Sequence, residues 1–222
     1  MTTSTSRRFE LICFDWDGTL YDSAAIIVRC IQDAVVDVGG RRPAAADCAF
    51  VIGMSLGPAL ARVAADVPPE RHAQLIARFR YHYVKHQDDI SLFEGVPAML
   101  AQLKQRRCRL AVATGKSRRG LNLALASREL ASIFDGSRTA DETAGKPNPR
   151  MLHELMAEFQ VSPERTLMVG DTSHDLQMAQ NAGCASVGVS YGAHDGDGLL
   201  ALAPLQVVHS VPELAQWLLA RT

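Results

Sequence analysis

Phe9-Glu10-Leu11-Ile12-Cys13-Phe14-Asp15-Trp16-Asp17-Gly18-Thr19 joins a short apolar run to a tight polar string. A continuous apolar run offers no polar face to solvent, so the segment up to Phe14 reads as a strand buried on both sides. Two later runs repeat the design: Arg109–Ala113 ends at Thr114-Gly115, and Thr166–Val169 ends at Gly170-Asp171. Stretches at helical spacing lie between them: Val96–Arg106, Arg150–Phe159 behind Asn148 and Pro149, and Ser173–Ala182 closed by Gly183. Ala185–Val189 and Leu205–Val208 add two strand candidates, and Pro212–Leu219 a last helix. Strands alternating with helices predict an α/β fold, a doubly wound, Rossmann-like parallel sheet.

Residues 21–92 break that rhythm. They hold helical stretches at Ala24–Val38, Leu56–Ala65 and Glu70–Gln87, and one short strand-like run, Phe50–Ile52. Gly39-Gly40 and Pro68-Pro69 interrupt them. The pattern predicts a helical cap, or lid, over 21–92, inserted after the first strand of a catalytic core formed by 1–20 and 93–222. A length of 222 residues fits one full domain of about 150 residues plus something smaller.

Composition removes several classes. Hydrophobic residues make up 47% and charged residues 21%, enough for a real core and too apolar for a disordered chain. Lys plus Arg is 23 against 24 Asp plus Glu, which excludes the basic footprint of nucleic-acid or polybasic membrane binding. No apolar run reaches the roughly 18 residues of a membrane span, and the polar start Met1–Arg8 is unlike a signal peptide. Five cysteines, odd in number and without a Cys-x-x-Cys pair, argue against disulfides and structural zinc and for a cytoplasmic protein.

Ligands of open parallel sheets bind beyond the carboxyl ends of the strands, so Asp15, Asp17, Thr114 and Asp171 are candidates to converge. Two carboxylates two residues apart repel each other and are relieved by a cation; an oxygen-rich site of this kind suits Mg²⁺. Lys146, held on a loop by Pro147, supplies a compensating charge. Thr114 offers a hydroxyl, and Gly115 opens towards N–H groups that can hold an anion. Together these parts form a phosphoryl-transfer site. Taken singly, each is an ordinary feature: Asp-Gly is a common turn, Gly170-Asp171 a helix cap, Lys146 a solvated lysine.

Asp15-Trp16-Asp17-Gly18-Thr19-Leu20, Thr114, Lys146 within Gly-Lys-Pro-Asn-Pro, and Gly170-Asp171-x-x-x-Asp175 resemble the four signature motifs of the haloacid-dehalogenase-like hydrolases. They match in order across residues 9 to about 190. Leu20-Tyr21-Asp22-Ser23 and the helical insert behind it are similar to the phosphoglycolate phosphatase branch. Trp16 departs from the smaller apolar residue usual there and reads as packing.

The resemblance implies roles. Asp15 would attack phosphorus and form an aspartyl-phosphate; Asp17 would act as general acid and then general base. The carboxylates of Asp15 and Asp171 with the backbone carbonyl of Asp17 would hold Mg²⁺, and Asp175 would orient the set. Thr114, Gly115 and Lys146 would grip the phosphoryl oxygens. Tyr21, Gly53, Ser55 and Lys116 are candidates to meet the substrate from the cap and core. An acid two residues after the nucleophile favours phosphate-ester hydrolysis or a phosphomutase over dehalogenation. Gly53-Met54-Ser55-Leu56-Gly57 lacks the arginine with which the mutases grip a second phosphate.

Three rivals follow from the same residues. A pyrophosphatase or phosphomutase would use the same core. Gly53–Gly57 also matches Gly-x-Ser-x-Gly, the elbow of serine esterases, with Ser55 as nucleophile, provided that a strand precedes it. A binding module without turnover would be expected to lack Asp15 or Asp17. His82 and His86 read as a solvated helix face, His174 as a helix-start polar residue, and Asp195-Gly196-Asp197-Gly198 as a loop. The expected partner is a small phosphorylated metabolite, phosphoglycolate first.

Overall fold

The computed structural model describes residues 9–126, 130 and 132–222. The polar start Met1–Arg8 lies outside the described residues. Six strands form one parallel sheet: β1 (Leu11–Phe14), β2 (Arg109–Thr114), β3 (Gly136–Thr139), β4 (Thr166–Gly170), β5 (Ala185–Val189) and β6 (Gln206–Val208). Their order is β3-β2-β1-β4-β5-β6, so the chain winds outward one way from β1 and then the other way from β4. The α/β reading from the apolar runs is correct.

Alternation along β1 explains why both faces are buried. Ile12 and Phe14 join the core made with α5 (Val96–Gln105) and α10 (Val211–Leu219). Leu11 and Cys13 join the opposite core, under α7 (Arg150–Phe159) and α8 (Ser173–Ala182). Trp16 is fully buried on the first side, stacked on Tyr21 at 5.3 Å and edge-on to Phe134 at 6.1 Å. The helix after β2 is α6 (Arg118–Leu125), capped by Ser117, whose side chain accepts from Gly120 N–H at 3.3 Å.

Between β1 and α5 run α1 (Ala24–Asp37), α2 (Ala45–Phe50), α3 (Leu56–Val63) and α4 (His72–His86). They bury their own cluster, including Ile27, Ile31, Val35, Cys48, Leu60 and Leu75. The chain leaves and re-enters the sheet side by side: Asp22 N–H donates to Ser91 O at 2.9 Å, and Phe93 N–H to Leu20 O at 3.0 Å.

Two expectations need correction. Phe50–Ile52 is not a strand: Phe50 ends α2, and Val51 and Ile52 turn inward to the helical cluster. Three apolar residues carry no periodicity, so such a run is ambiguous by nature. Asp195–Gly198 is not merely a loop either; Asp195 caps the short helix α9 (Gly196–Leu200) by accepting from Gly198 N–H at 2.8 Å.

Candidate active site

The site lies where the strand order reverses. Asp15 N–H donates to Val169 O at 2.9 Å, extending the β1–β4 ladder by one bond and setting the Asp15 carboxyl beyond the strand ends. Asp171 follows β4 directly. It accepts from Thr19 Oγ1 at 2.7 Å and from Ala193 N–H at 2.8 Å. Gly18 has φ +84, and a Cβ there would overlap the Asp171 carboxylate, so only glycine lets the two loops pass this closely.

Asp175 sits in the first turn of α8 and forms a capping box with Thr172. Its Oδ2 accepts from Thr172 N–H at 3.1 Å and Thr172 Oγ1 at 2.6 Å. Its Oδ1 meets Lys146 Nζ at 2.5 Å, and the same ammonium lies 2.8 Å from Asp15 Oδ1. One fully buried lysine therefore stands between two buried carboxylates.

Asp15, Asp171 and Asp175 each offer an oxygen within 4.8 Å of the others. Neither oxygen of Asp15 receives a hydrogen bond of good geometry among the described residues, although Oδ1 lies 2.8 Å from the Lys146 ammonium. Burial pushes the Asp15 carboxyl up to about 7, against the pull of Lys146 and with a further push from Asp175. Burial and the charges of Asp15 and Asp175 also raise Asp171 well above the carboxylate range. Burial opposes the charge on Lys146, but Asp15 and Asp175 outweigh it and raise its pKa. Three carboxyls crowd one ammonium, a crowding that a cation would relieve, and this buried all-oxygen donor set fits a hard divalent cation.

Asp17 stands apart from this group. Both its oxygens meet Lys116 Nζ, at 2.9 and 2.8 Å, and Ser23 Oγ donates to Oδ1 at 2.9 Å. Thr114 is buried at the end of β2, and its Oγ1 accepts from Lys116 N–H at 3.2 Å. The loop before α3 covers the site: a Cβ on Gly115 would overlap the carbonyl oxygens of Gly53 and Met54, and one on Gly145 would overlap Ser55 Oγ. Tyr21 is part-buried where the chain passes into the helical insert.

The family model of the haloacid dehalogenase-like hydrolases matches residues 12–189. The chain belongs to the haloacid dehalogenase-like hydrolases. It is 34% identical over 209 residues to a Dickeya dadantii protein named "Probable phosphatase IndB", covering 92% of this chain and 91% of that one. It is 31% identical over 220 residues to the phosphoglycolate phosphatase of Vibrio vulnificus, covering 95% and 96%. The crystal structure of a hydrolase from Pseudomonas syringae shares the fold with a TM-score of 0.84 at 23% identity, over 96% of this chain and 98% of that one. Within the family, the chain lies on the phosphoglycolate phosphatase-like branch.

For a haloacid dehalogenase-like hydrolase, Ser55 has the wrong surroundings to be an esterase nucleophile. It precedes α3 with a helix and a turn before it, so the strand an elbow requires is missing. Sequence reading overlooked Thr172, Tyr83 and His194. Thr172-x-x-Asp175 carried a readable signal, the capping-box spacing. Tyr83 OH accepts from Lys116 Nζ at 3.0 Å, and His194 Nδ1 accepts from Ser173 N–H at 3.0 Å. Both contacts are tertiary, and no local spacing announces them.

Proposed function

We propose that the protein is a Mg²⁺-dependent, cytoplasmic phosphatase of small phosphorylated metabolites, working through an aspartyl-phosphate on Asp15. The observation that carries this reading is the buried trio Asp15, Asp171 and Asp175 around Lys146, with neither Asp15 oxygen held by a hydrogen bond of good geometry among the described residues. The carboxylates of Asp15 and Asp171 and the backbone carbonyl of Asp17 would hold the cation, which when bound supplies charge neutralisation for the approach of a phosphate dianion.

Asp15 attacks phosphorus, and the bond from phosphorus to the leaving oxygen breaks. Asp17 gives that oxygen a proton, then takes one from the water that cleaves the aspartyl-phosphate. Lys146 and the hydroxyl of Thr114, with the N–H of Gly115, hold the phosphoryl oxygens as charge builds on them. Asp175 acts through Lys146 by fixing where its ammonium points. Residues 21–92 act as the lid, with the loop at Gly53–Ser55 closing over the phosphoryl group to exclude water. Phosphoglycolate, the substrate in the name of the Vibrio vulnificus relative, is the first candidate.

The test is hydrolysis of an aryl phosphate by the wild type and Asp15→Asn. The variant is expected to fold and to lose turnover, and EDTA to silence the wild type until Mg²⁺ is restored. Full activity in Asp15→Asn, or in the wild type with EDTA, overturns the mechanism.

A further inference from the structure

The site holds a second lysine, part-buried, with different company. Lys146 belongs to the phosphoryl side, between Asp15 and Asp175. Lys116 belongs to Asp17, and its three ammonium protons have three acceptors: the two Asp17 oxygens and the hydroxyl of Tyr83 on α4. The ammonium also lies 4.8 Å from the centre of the Tyr83 ring. The side chains of Lys116 and Asp17 are only 11% and 13% exposed, so water screens little of their attraction.

We propose that Lys116 and Tyr83 read a second negative charge on the substrate, set one or two bonds beyond the ester oxygen. The inference rests on the phosphatase reading above, because it uses Asp17 to locate the leaving oxygen. An oxygen that takes a proton from Asp17 must come within hydrogen-bond reach of that carboxyl, and Lys116 Nζ is already 2.8 Å from it. A carboxylate or phosphate attached just beyond that oxygen therefore lands within reach of Nζ. It replaces Asp17 as acceptor and gains a charge-assisted bond in a poorly hydrated place. A neutral alcohol offers no such exchange and leaves Asp17 held through both its oxygens.

Tyr83 strengthens the selection. Its hydroxyl oxygen accepts from Lys116, so its own proton remains to be donated to the incoming anion. Burial, then the charge of Asp17, pushes its pKa up to about 12, which keeps it a phenol. Ser23 still holds Asp17 through Oδ1 when Lys116 turns away. Because Tyr83 lies on the helical insert and Lys116 on the sheet side, the second anion is gripped from both.

The experiment compares kcat/KM for phosphoglycolate, pyrophosphate and ethyl phosphate with Mg²⁺, in the wild type, Lys116→Met, Lys116→Arg and Tyr83→Phe. The wild type is expected to favour an anionic substrate over ethyl phosphate by at least about tenfold, the scale of one hydrogen bond to a charged group. Preference for phosphoglycolate assigns the second anion to a carboxylate, and preference for pyrophosphate to a phosphate. Lys116→Met should narrow the preference by about tenfold, chiefly through KM, and Lys116→Arg should restore most of it. Tyr83→Phe keeps the ring and should narrow it by about two- to fivefold.

An unchanged preference in folded Lys116→Met overturns the proposal. If that variant does not fold, an unchanged preference in Tyr83→Phe overturns it alone. A wild type that cleaves all three substrates equally well keeps the phosphatase reading and sinks this one. A wild type inactive on these and on aryl phosphates sinks both.

Discussion

The backbone carbonyl oxygen of Gly53 occupies the space that a Cβ on Gly115 would need, and the Met54 carbonyl presses on the same spot. The obstacle is backbone on both sides, so no rotamer change relieves it. Gly115→Ala should hold the Gly53–Ser55 loop away from the proposed phosphoryl site. We expect kcat/KM on an aryl phosphate to fall by about tenfold to a hundredfold, since displacements of about 1 Å cost that much in a positioned site. The melting temperature should change little, because the contact joins two loops rather than a core. Wild-type kinetics in this variant would show that the close approach has no part in turnover.

Asp175 serves stability and position together. It caps α8 through Thr172 and neutralises half the surroundings of Lys146. Asp175→Ala removes both and leaves a buried ammonium with Asp15 alone, which should cost about 3–5 kcal/mol. Asp175→Asn breaks the same ion pair but keeps an acceptor for Thr172, so it should cost less than the alanine variant by about 1 kcal/mol, the scale of a helix cap. Urea melts of the two variants check the order. Loss of activity in both, with the stability gap between them, would separate the two duties; equal stability would refute the capping contribution.

How much of this was readable depends on where each residue's partners lie. β1 and β4 were legible because both faces are buried, which forces continuous apolar runs. β3 was not: Gly136-Ser137-Arg138-Thr139 is a polar edge strand, and Arg138 reaches Glu154 and Glu158 on α7. Phe50–Ile52 misled because the burial of Val51 and Ile52 in a helical cluster and burial in a sheet demand the same side chains, while Phe50 stays exposed. Asp15, Asp171 and Thr114 stood out as polar residues closing apolar strands, and Asp17 as the second acid of a short string. Tyr83 could not be found this way, since its link to Lys116 is made by packing α4 over the sheet's end.

A pH effect should appear within the helical insert. Asp37, on α1, is held by His82 Nε2 at 2.7 Å and Arg78 Nε at 2.6 Å, both on α4. The hydrogen bonds from His82 and Arg78 hold its carboxyl below the usual range. A carboxyl lowered in the folded state stabilises above its unfolded pKa of about 3.9 and loses that contribution as pH falls through the folded value. The wild type should exceed Asp37→Asn in stability at neutral pH by less than about 1 kcal/mol, the group being partly exposed. As pH falls below roughly 3.9 the gap should close progressively. Urea melts at neutral and acid pH decide it; a gap that persists in acid refutes the assignment.

The Phe50 carbonyl, at the end of α2, receives two histidines from beyond the sheet: His174 Nε2 at 2.8 Å and His194 Nε2 at 3.1 Å. His194 Nδ1 accepts from Ser173 N–H, so Nε2 carries the proton and is the donor. Burial, the first cause, lowers the His194 pKa, which favours this neutral form. The Phe50 ring stacks on His194 at 5.4 Å, adding an apolar clasp to the polar one. His194→Phe keeps the stacking and loses one hydrogen bond, worth about 0.5–1.5 kcal/mol. If the bond belongs to the closed lid, that loss appears as a fall of about two- to tenfold in kcat/KM. The helical insert should also be cleaved faster by protease between Tyr21 and Leu92, with a nearly unchanged melting temperature. Unaltered kinetics and unaltered cleavage would mean that the two histidines pack against the insert without holding it shut.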